Sequence, residues 1–196
     1  MKFDLAGKKA VVTGGSSGIG KAIVETLMNQ GATVFVIDLN ENSAHTKAGI
    51  KTITTDITQF DQLNTALTLL PDQIDILVNN AGVGFVGNIE QTEEEDFDRL
   101  YQVNVKGVFN CIKIILPRMK KQGGVIVNMA SITAHIAVQN RFAYTTTKGA
   151  VLAMTNAIAK DYIANGIRCN SVSPARVHTP FVDNFLNYVK SVISSI

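Results

Sequence analysis

The chain has 196 residues, of which 46% are hydrophobic and 17% are charged, and its formal net charge is +2 at pH 7. This length favours one domain with a sizeable buried core, and a near-neutral charge without a Lys/Arg stripe argues against a nucleic acid partner. The first residues lack the apolar segment of a signal peptide, and no run of 18 apolar residues occurs, so we expect a cytoplasmic protein without a membrane span.

From the amino terminus onward, short β-branched runs alternate with longer amphipathic stretches. The runs predict strands at 9–13, 33–38, 51–55, 74–78, 125–129 and 168–172. The stretches predict helices at about 21–30, 41–48, 59–70, 93–121, 142–164 and 181–196. Continuous apolar strands that alternate with helices are typical of a parallel sheet covered on both faces. We therefore predict one α/β domain over residues 1–196, a doubly wound parallel sheet between two layers of helices.

A glycine-rich turn, from Thr13 to Gly20, lies between the first predicted strand and the first helix. Glycines 14, 18 and 20 would let the backbone come close to a pyrophosphate, and the helix that follows would present its N–H groups to the phosphates. The spacing alone is weak, and a purely structural turn is the alternative. Its position between a strand and a helix favours dinucleotide binding.

Asp38 ends the second predicted strand, 18 residues after Gly20. A carboxylate there can accept hydrogen bonds from both hydroxyls of a ribose and would repel a 2′-phosphate, so we predict NAD as cofactor in preference to NADP. An ordinary turn aspartate is the alternative. Asp56, after the third strand, could receive the adenine amino group or cap a helix. Asn80-Ala81-Gly82 follows the fourth strand, where small residues would let a cofactor lie against the backbone or simply form a turn.

Tyr144 and Lys148 are four residues apart and share one face of the helix predicted at 142–164. A tyrosine ordinarily has a pKa of about 10 and is a poor base at neutral pH. We expect the Lys148 ammonium, with a positive nicotinamide ring, to lower that pKa, so that Tyr144 can exchange a proton with a substrate hydroxyl or carbonyl. A Tyr/Lys pair of this spacing more often lies on a protein surface. The glycine turn, Asn80-Ala81-Gly82 and Ser131 in the same chain favour a catalytic pair instead.

Two further polar residues fit the same chemistry. Ser131 follows the fifth predicted strand, at the edge of the sheet where ligands bind, and its hydroxyl could hydrogen-bond a substrate oxygen. Asn104, in the long apolar helix, is a candidate buried amide that needs a backbone carbonyl or a water as its partner, or that is only part of the core.

The cysteines and histidines suggest no further chemistry. Cys111 and Cys169 are far apart in apolar contexts, so we expect free buried thiols in a reducing compartment. His45, His135 and His178 stand apart without an acidic partner, and we expect solvent or loop histidines. No cluster has the spacing of a metal site.

In combination these motifs resemble the short-chain dehydrogenase/reductase superfamily, from Leu5 to about Phe185. The resemblance implies a Rossmann-like fold, NAD, a small-molecule substrate and a homo-oligomer, a dimer or tetramer that pairs through the two long helices. The catalytic residues that it implies are Asn104, Ser131, Tyr144 and Lys148. The cofactor contacts that it implies are Gly14, Ser16, Ser17, Gly18, Ile19, Gly20, Asp38, Leu39, Asp56, Ile57, Asn80, Ala81, Gly82, Tyr144, Lys148, Pro174, Val177 and Thr179.

The stretches 140–144 and 166–170 are similar to a narrower branch, with sugar-acid and hydroxybutyrate dehydrogenases. Arg141, one helical turn before Tyr144, could clamp a substrate carboxylate, with a solvated arginine as the alternative. Two features depart from the family pattern. Pro174-Ala175 replaces the usual Pro-Gly, and alanine would be strained by about 1 kcal/mol if that turn needs a positive φ. Family members are typically longer, so we expect their last strand to be missing and 168–172 to form an apolar sheet edge.

The sequence therefore predicts an oxidoreductase that transfers a hydride between NAD(H) and a secondary alcohol or ketone, with hydroxy acids or sugar acids as candidate substrates. One alternative is a 3-oxoacyl-carrier-protein reductase that uses NADPH. A second alternative, from another class, is a truncated, non-catalytic protein that binds nucleotides or other partners.

Overall fold

The structure is a computed structural model, and it describes residues 4–40, 49–179 and 182. Its strands are Lys9–Thr13 (β1), Thr33–Asp38 (β2), Lys51–Thr54 (β3), Ile76–Asn79 (β4), Gly124–Met129 (β5) and Ile167–Val172 (β6). Its α-helices are Gly18–Asn29 (α1), Phe60–Ala66 (α2), Glu94–Tyr101 (α3), Gly107–Met119 (α4) and Phe142–Asp161 (α5). The helices predicted at 41–48 and 181–196 lie outside the described residues, Val182 excepted.

All six strands are parallel and lie in the order β3-β2-β1-β4-β5-β6. The order reverses between β1 and β4, so the chain winds outward in both directions from the centre of the sheet. This arrangement confirms the predicted doubly wound α/β fold. β6 lies at the edge of the described sheet, but Arg168 and Asn170 alternate with the buried Ile167 and Cys169, so that edge is less apolar than predicted.

The core has two layers because alternate residues of each strand point to opposite faces of the sheet. In β1, Val11 packs with the hydrophobic cluster that includes α2 and α4, whereas Ala10 and Val12 pack with the cluster that includes α1. The burial of both faces explains why the strands are continuously apolar. Cys111 and Cys169 are free and buried, as predicted, and burial raises the pKa of the Cys111 thiol to about 12.

The helix predicted as one segment over 93–121 is interrupted. A π-helical segment, Gln102–Lys106, separates α3 from α4. Gly107 follows it, and a Cβ there would lie 2.5 Å from Ile57 Cδ1, so the absence of a side chain lets α4 approach the loop after β3 closely. π-Helical turns are rare and occur frequently at functional sites, and this one contains Asn104.

Other element bounds differ only at their ends. β4 begins two residues later than predicted, because the Asp75 carboxylate accepts hydrogen bonds from Lys9 N at 2.9 Å and Lys8 Nζ at 3.2 Å and so belongs to the connection. The helix predicted at 59–70 ends at Ala66 and continues as a 3₁₀ turn, Leu67–Leu69. Within the described part of the chain, no helix has the length and apolarity to span a bilayer.

Candidate active site

A cleft with a volume of about 410 Å³ opens at the carboxyl ends of the strands, where the strand order reverses. Most of the predicted site residues line it: Gly14, Ser17, Gly18, Ile19, Asp38, Leu39, Asp56, Ile57, Asn80, Ala81, Gly82, Ser131, Tyr144, Lys148, Pro174, Val177 and Thr179. Ser16, Gly20, Asn104 and Arg141 are not among its lining residues. We call the part with Gly14, Gly18 and Asp38 the glycine end, and the part with Ser131, Tyr144 and Lys148 the tyrosine end.

The glycine end is held by hydrogen bonds between two loops. Gly14 and Gly18 have positive φ angles of 63° and 52°, which other residues rarely adopt. The Asn80 side-chain amide donates to Thr13 O at 3.1 Å and to Gly14 O at 2.9 Å. A Cβ on Gly20 would collide with the Gly14 carbonyl and the Asn80 amide, so Gly20 supports the turn from within and does not line the cleft.

Asp38 extends from the end of β2 into the glycine end. Its Oδ2 accepts a hydrogen bond from Ser16 N at 3.1 Å, so the backbone of the glycine turn orients the carboxylate. Asp56 lies further along the cleft, and its Oδ1 accepts a bond from Thr58 N at 2.8 Å. Because Gln59, and not Asp56, occupies the N-cap position of α2, the helix-cap alternative for Asp56 is wrong, and its carboxylate closes a local turn.

The tyrosine end brings together side chains from α5 and from the end of β5. Lys148 is 5% exposed, and its Nζ donates to Met129 O at 2.7 Å and lies 5.7 Å from the centroid of the Tyr144 ring. Ser131 is buried and hydrogen-bonds the Tyr144 side chain, while its Oγ accepts a bond from Thr133 N at 3.2 Å. A phenol, a hydroxyl and an ammonium thus converge at one end of the cleft.

The electrostatics of this end differ from the prediction. Burial raises the pKa of the Tyr144 phenol, and the hydrogen bond to Ser131 and the charge of Arg141 oppose this rise only in part. Burial also lowers the pKa of the Lys148 ammonium to about 8. Without a bound nicotinamide, the net effect of the protein groups is therefore a rise in the Tyr144 pKa, and the charge that opposes this rise is that of Arg141. The predicted lowering by Lys148 together with a nicotinamide ring stays a prediction.

Asn104 is fully buried in the π-helical segment. Its Oδ1 accepts a bond from Val83 N at 2.8 Å, and its Nδ2 donates to Val83 O at 2.9 Å and to Thr147 Oγ1 at 3.1 Å. Of the two partners predicted for this amide, the structure provides the backbone carbonyl. Asn104 therefore clamps the loop after β4 to the helix that carries Tyr144.

Arg141 is the residue before α5 and lies beside the tyrosine. Its Nη1 donates to Phe85 O at 3.0 Å, and its guanidinium carbon lies 5.8 Å from the centroid of the Tyr144 ring. Burial lowers the pKa of Arg141, and the nearby charge of Arg176 lowers it further. The alternative of a simply solvated arginine does not fit these contacts.

The segment after β6 does not have the predicted strain. Among described residues other than glycine, only Asn140 has a positive φ, 57°, so Ala175 adopts an ordinary backbone conformation. His135 Nε2 lies 2.9 Å from Ser173 Oγ, and His178 is exposed in a loop, whereas His45 lies outside the described residues. No group of His, Cys, Asp or Glu is placed to hold a metal in the part of the chain that is described.

Sequence reasoning missed the hydrogen bonds that two threonines make around the site. Thr13 Oγ1 accepts bonds from Asn80 N and Ala81 N, each at 3.0 Å, and so joins β1 to the loop after β4. Thr147 hydrogen-bonds Asn104 and the backbone of Tyr144. A threonine at a strand end or inside a helix carries no distinctive sequence signal, because its role depends on which chain segment packs beside it.

Comparisons with known proteins agree with this geometry. A family model described as short chain dehydrogenase matches residues 8–188. The chain is 39% identical to 2-(R)-hydroxypropyl-CoM dehydrogenase of Xanthobacter autotrophicus, over 87% of this chain and 75% of that protein. It is 40% identical to dehydrogenase/reductase SDR family member 6 of Aquarana catesbeiana, over 90% of this chain and 74% of that protein.

Two solved structures are also similar. Ligand-free aldohexose dehydrogenase of Thermoplasma acidophilum superimposes with a TM-score of 0.86 at 34% identity, over 92% of this chain and 71% of that chain. The 3-ketoacyl-(acyl-carrier-protein) reductase of Brucella melitensis, complexed with NADH, superimposes with a TM-score of 0.85 at 33% identity, over 92% of this chain and 80% of that chain.

Proposed function

Since this chain belongs to the short-chain dehydrogenase family of oxidoreductases, we propose that it transfers a hydride between NAD(H) and a secondary alcohol or ketone. The observation that carries the proposal is the convergence of Ser131, Tyr144 and Lys148 at one end of a cleft whose other end holds Asp38. The first group of residues suits proton transfer at an oxygen, and the carboxylate suits recognition of a ribose.

The cleft fits a nicotinamide cofactor. Its volume of about 410 Å³ is in the ordinary range for ligand sites, and the amino terminus of α1, which begins at Gly18, faces the glycine end, where phosphates are favoured. Asp38 would accept bonds from the ribose hydroxyls and repel a 2′-phosphate, which supports NAD in preference to NADP. A bound nicotinamide would accept a hydride from an alcohol or supply one to a ketone.

The residues of the tyrosine end would transfer a proton to and from the substrate oxygen. In alcohol oxidation, Tyr144 Oη takes the hydroxyl proton as the carbonyl forms; in ketone reduction, it returns that proton to the oxygen. Ser131 Oγ would hydrogen-bond the same oxygen and stabilise its developing charge. Lys148, held on the Met129 carbonyl, would favour the phenolate form of Tyr144 when it is protonated. Asn104 would hold the loop after β4 against α5.

Arg141 supports a hydroxy acid or sugar acid as substrate. Its guanidinium lies beside the Tyr144 ring and could bind a carboxylate at the far side of the reacting carbon. The similar proteins include dehydrogenases named for hydroxypropyl-CoM and aldohexose. A 3-oxoacyl-carrier-protein reductase is the second candidate, because one similar structure is a reductase of that type.

Steady-state assays test these proposals directly. We expect NAD⁺ to support oxidation of at least one member of a panel of hydroxy acids, sugar acids and neutral secondary alcohols, with NADP⁺ much less effective. Turnover of an acetoacetyl thioester with NADPH, and none with the acid panel, would favour the second candidate. Cofactor binding without any turnover would support the non-catalytic alternative and overturn the proposal.

We further propose a single-domain, cytoplasmic homo-oligomer. One continuous sheet carries the core, both cysteines are buried free thiols, and the partly exposed Tyr101 and Phe109 give the π-interrupted helix an apolar outer surface. Light scattering of the purified protein tests the assembly, since a monomeric mass at micromolar concentration would contradict it.

A further inference from the structure

Thr147 lies within the helix between Tyr144 and Lys148, and it is fully buried. Its Oγ1 lies 2.9 Å from Tyr144 O and 3.1 Å from Asn104 Nδ2. A hydroxyl has one hydrogen, and an amide nitrogen can only donate. Thr147 Oγ1 therefore donates its hydrogen to the Tyr144 carbonyl and accepts a hydrogen from the Asn104 amide.

The Asn104 side chain, which donates to Thr147, is fixed by two further hydrogen bonds. Asn104 makes a two-way pair with the backbone of Val83, which accepts at 2.9 Å and donates at 2.8 Å. The loop that contains Val83 passes close to the tyrosine end, since a Cβ on Gly82 would lie 3.1 Å from Asn104 Oδ1 and 3.5 Å from Lys148 Nζ. Thr147 thus joins the turn of α5 that begins at Tyr144 to the loop that forms one wall of the cleft.

This part of α5 depends on tertiary contacts for its position. Three consecutive threonines, 145–147, have low helix propensity, because β-branched side chains lose freedom against the preceding turn. Besides Thr147, the Lys148 ammonium on Met129 O anchors the same turn to β5. Two hydrogen bonds, one from Asn104 to Thr147 and one from Lys148 to Met129 O, therefore fix the position of the turn that begins at Tyr144.

We propose that Thr147 is a positioning residue: its hydroxyl, held by Asn104, fixes the turn of α5 that begins at Tyr144 and so sets the Tyr144 phenol against Ser131. The inference rests on the proposed dehydrogenase function for its kinetic readout. Without the hydroxyl, the Asn104 amide loses a partner in a site that water does not reach, and the turn is free to shift. Small displacements of a reacting group have large kinetic effects.

The chain offers a matched control in Thr155, on the same helix. Thr155 is 2% exposed, and its Oγ1 donates to Val151 O at 2.8 Å and accepts from Asn128 Nδ2 at 2.9 Å. Like Thr147, it is buried, donates to a carbonyl of its own helix and accepts from an asparagine amide. It lies two helical turns beyond Lys148, and its bonds reach neither Asn104 nor Tyr144. Replacement of either threonine by valine preserves shape and removes both bonds.

The experiment compares Thr147→Val, Thr147→Ser and Thr155→Val. We expect Thr147→Val to lower kcat/KM by about 10- to 100-fold with little change in the Kd for NADH, and Thr147→Ser to restore most of it. Thr155→Val should lower the thermal midpoint as much as Thr147→Val does, yet keep kcat/KM within about threefold of the native value. Equal kinetic losses in both valine variants, or no loss in Thr147→Val, would overturn the proposal.

The double variant Asn104→Ala with Thr147→Val tests whether Thr147 acts through its hydrogen bond with Asn104. If Thr147 acts through Asn104, the double variant should be no slower than the slower single variant, because both changes break one link. Multiplicative losses would mean that the two residues act independently, and the proposed link would be wrong.

A second readout needs no turnover. In protein labelled with ¹³C at the tyrosine ring, the Tyr144 signal, assigned with Tyr144→Phe, reports the titration of the phenol. The groups that face it are Lys148 from α5, Arg141 from the position just before α5 and Ser131 from the end of β5, with Arg176 beyond Arg141. We expect Thr147→Val to raise the phenol pKa, since the Ser131 bond weakens, and Thr155→Val to leave it unchanged. An unchanged titration in Thr147→Val would refute positioning even if the dehydrogenase assays fail.

Discussion

The glycine end and the tyrosine end of the cleft differ in what holds their groups in place. At the glycine end, backbone groups and short polar side chains interlock: Asn80 bonds two carbonyls of the opposite loop, and Ser16 N orients Asp38. At the tyrosine end, two long side chains from a helix, the half-buried Tyr144 and the buried Lys148, have pKa values that desolvation shifts from their ordinary values. The function of the glycine end therefore depends mainly on the shape of its loops, whereas that of the tyrosine end depends mainly on the protonation states of its side chains.

This difference suggests that the two ends can be disabled separately. A change in protonation chemistry should leave cofactor binding nearly intact, and a change at the carboxylate of Asp38 should alter cofactor choice without altering the chemical step.

The largest effect is expected from Tyr144→Phe. The variant removes the phenol that would transfer the proton but keeps the ring, so we expect kcat to fall by at least about 10³-fold. The Kd for NADH, measured by fluorescence titration, should change by less than about threefold, because the glycine end is untouched. A comparable loss of cofactor binding would show that the two ends are not separable.

A pH-dependent effect on stability is expected from Lys148. Because burial lowers its pKa in the folded protein to about 8, the unfolded chain binds more protons than the folded chain between about pH 8 and the ordinary lysine pKa. Stability from this group should therefore rise with pH across that window. Relative to Lys148→Met, the native protein should gain up to about 2 kcal/mol in free energy of unfolding between pH 8 and 10. Urea unfolding at several pH values measures it, and parallel curves for the two proteins would refute the shift.

A smaller, selective effect is expected from Asp38→Ala. Removal of the carboxylate eliminates both the bonds to a ribose and the repulsion of a 2′-phosphate, so the ratio of kcat/KM for NAD⁺ over NADP⁺ should fall by about 10-fold or more. The pH profile of kcat should not change, because the tyrosine end is intact. A native enzyme that already prefers NADP⁺ would contradict the assignment.

The smallest and most substrate-dependent effect is expected from Arg141→Ala. If the guanidinium binds a carboxylate, KM for an acidic substrate should rise by about 10-fold, whereas KM for a neutral alcohol should stay within about twofold. An equal change for both substrates would indicate that Arg141 acts only through the Phe85 carbonyl and the loop that it holds.

Much of this molecule follows from local sequence patterns. The apolar strands predicted the parallel sheet because both of its faces are buried, and the glycine turn, Asp38 and the Tyr144–Lys148 spacing lie where a doubly wound sheet requires them. What the sequence did not predict depends on contacts between distant segments. The Asn104 side chain, in the π-helical turn, accepts a bond from the loop after β4 and donates one to Thr147 on α5, and these segments are far apart in the sequence.

The sequence by itself therefore determined the architecture and the identity of the groups that meet in the cleft, because hydrophobic periodicity and strand-end positions are local properties of the chain. Only the tertiary structure decided their protonation and their roles. It placed Arg141 beside the Tyr144 ring, where its charge opposes the rise in the phenol pKa, and it packed Gly20 against the Asn80 amide. Desolvation and the choice of hydrogen-bond partner depend on everything that surrounds a group in space, and no single stretch of sequence contains that information.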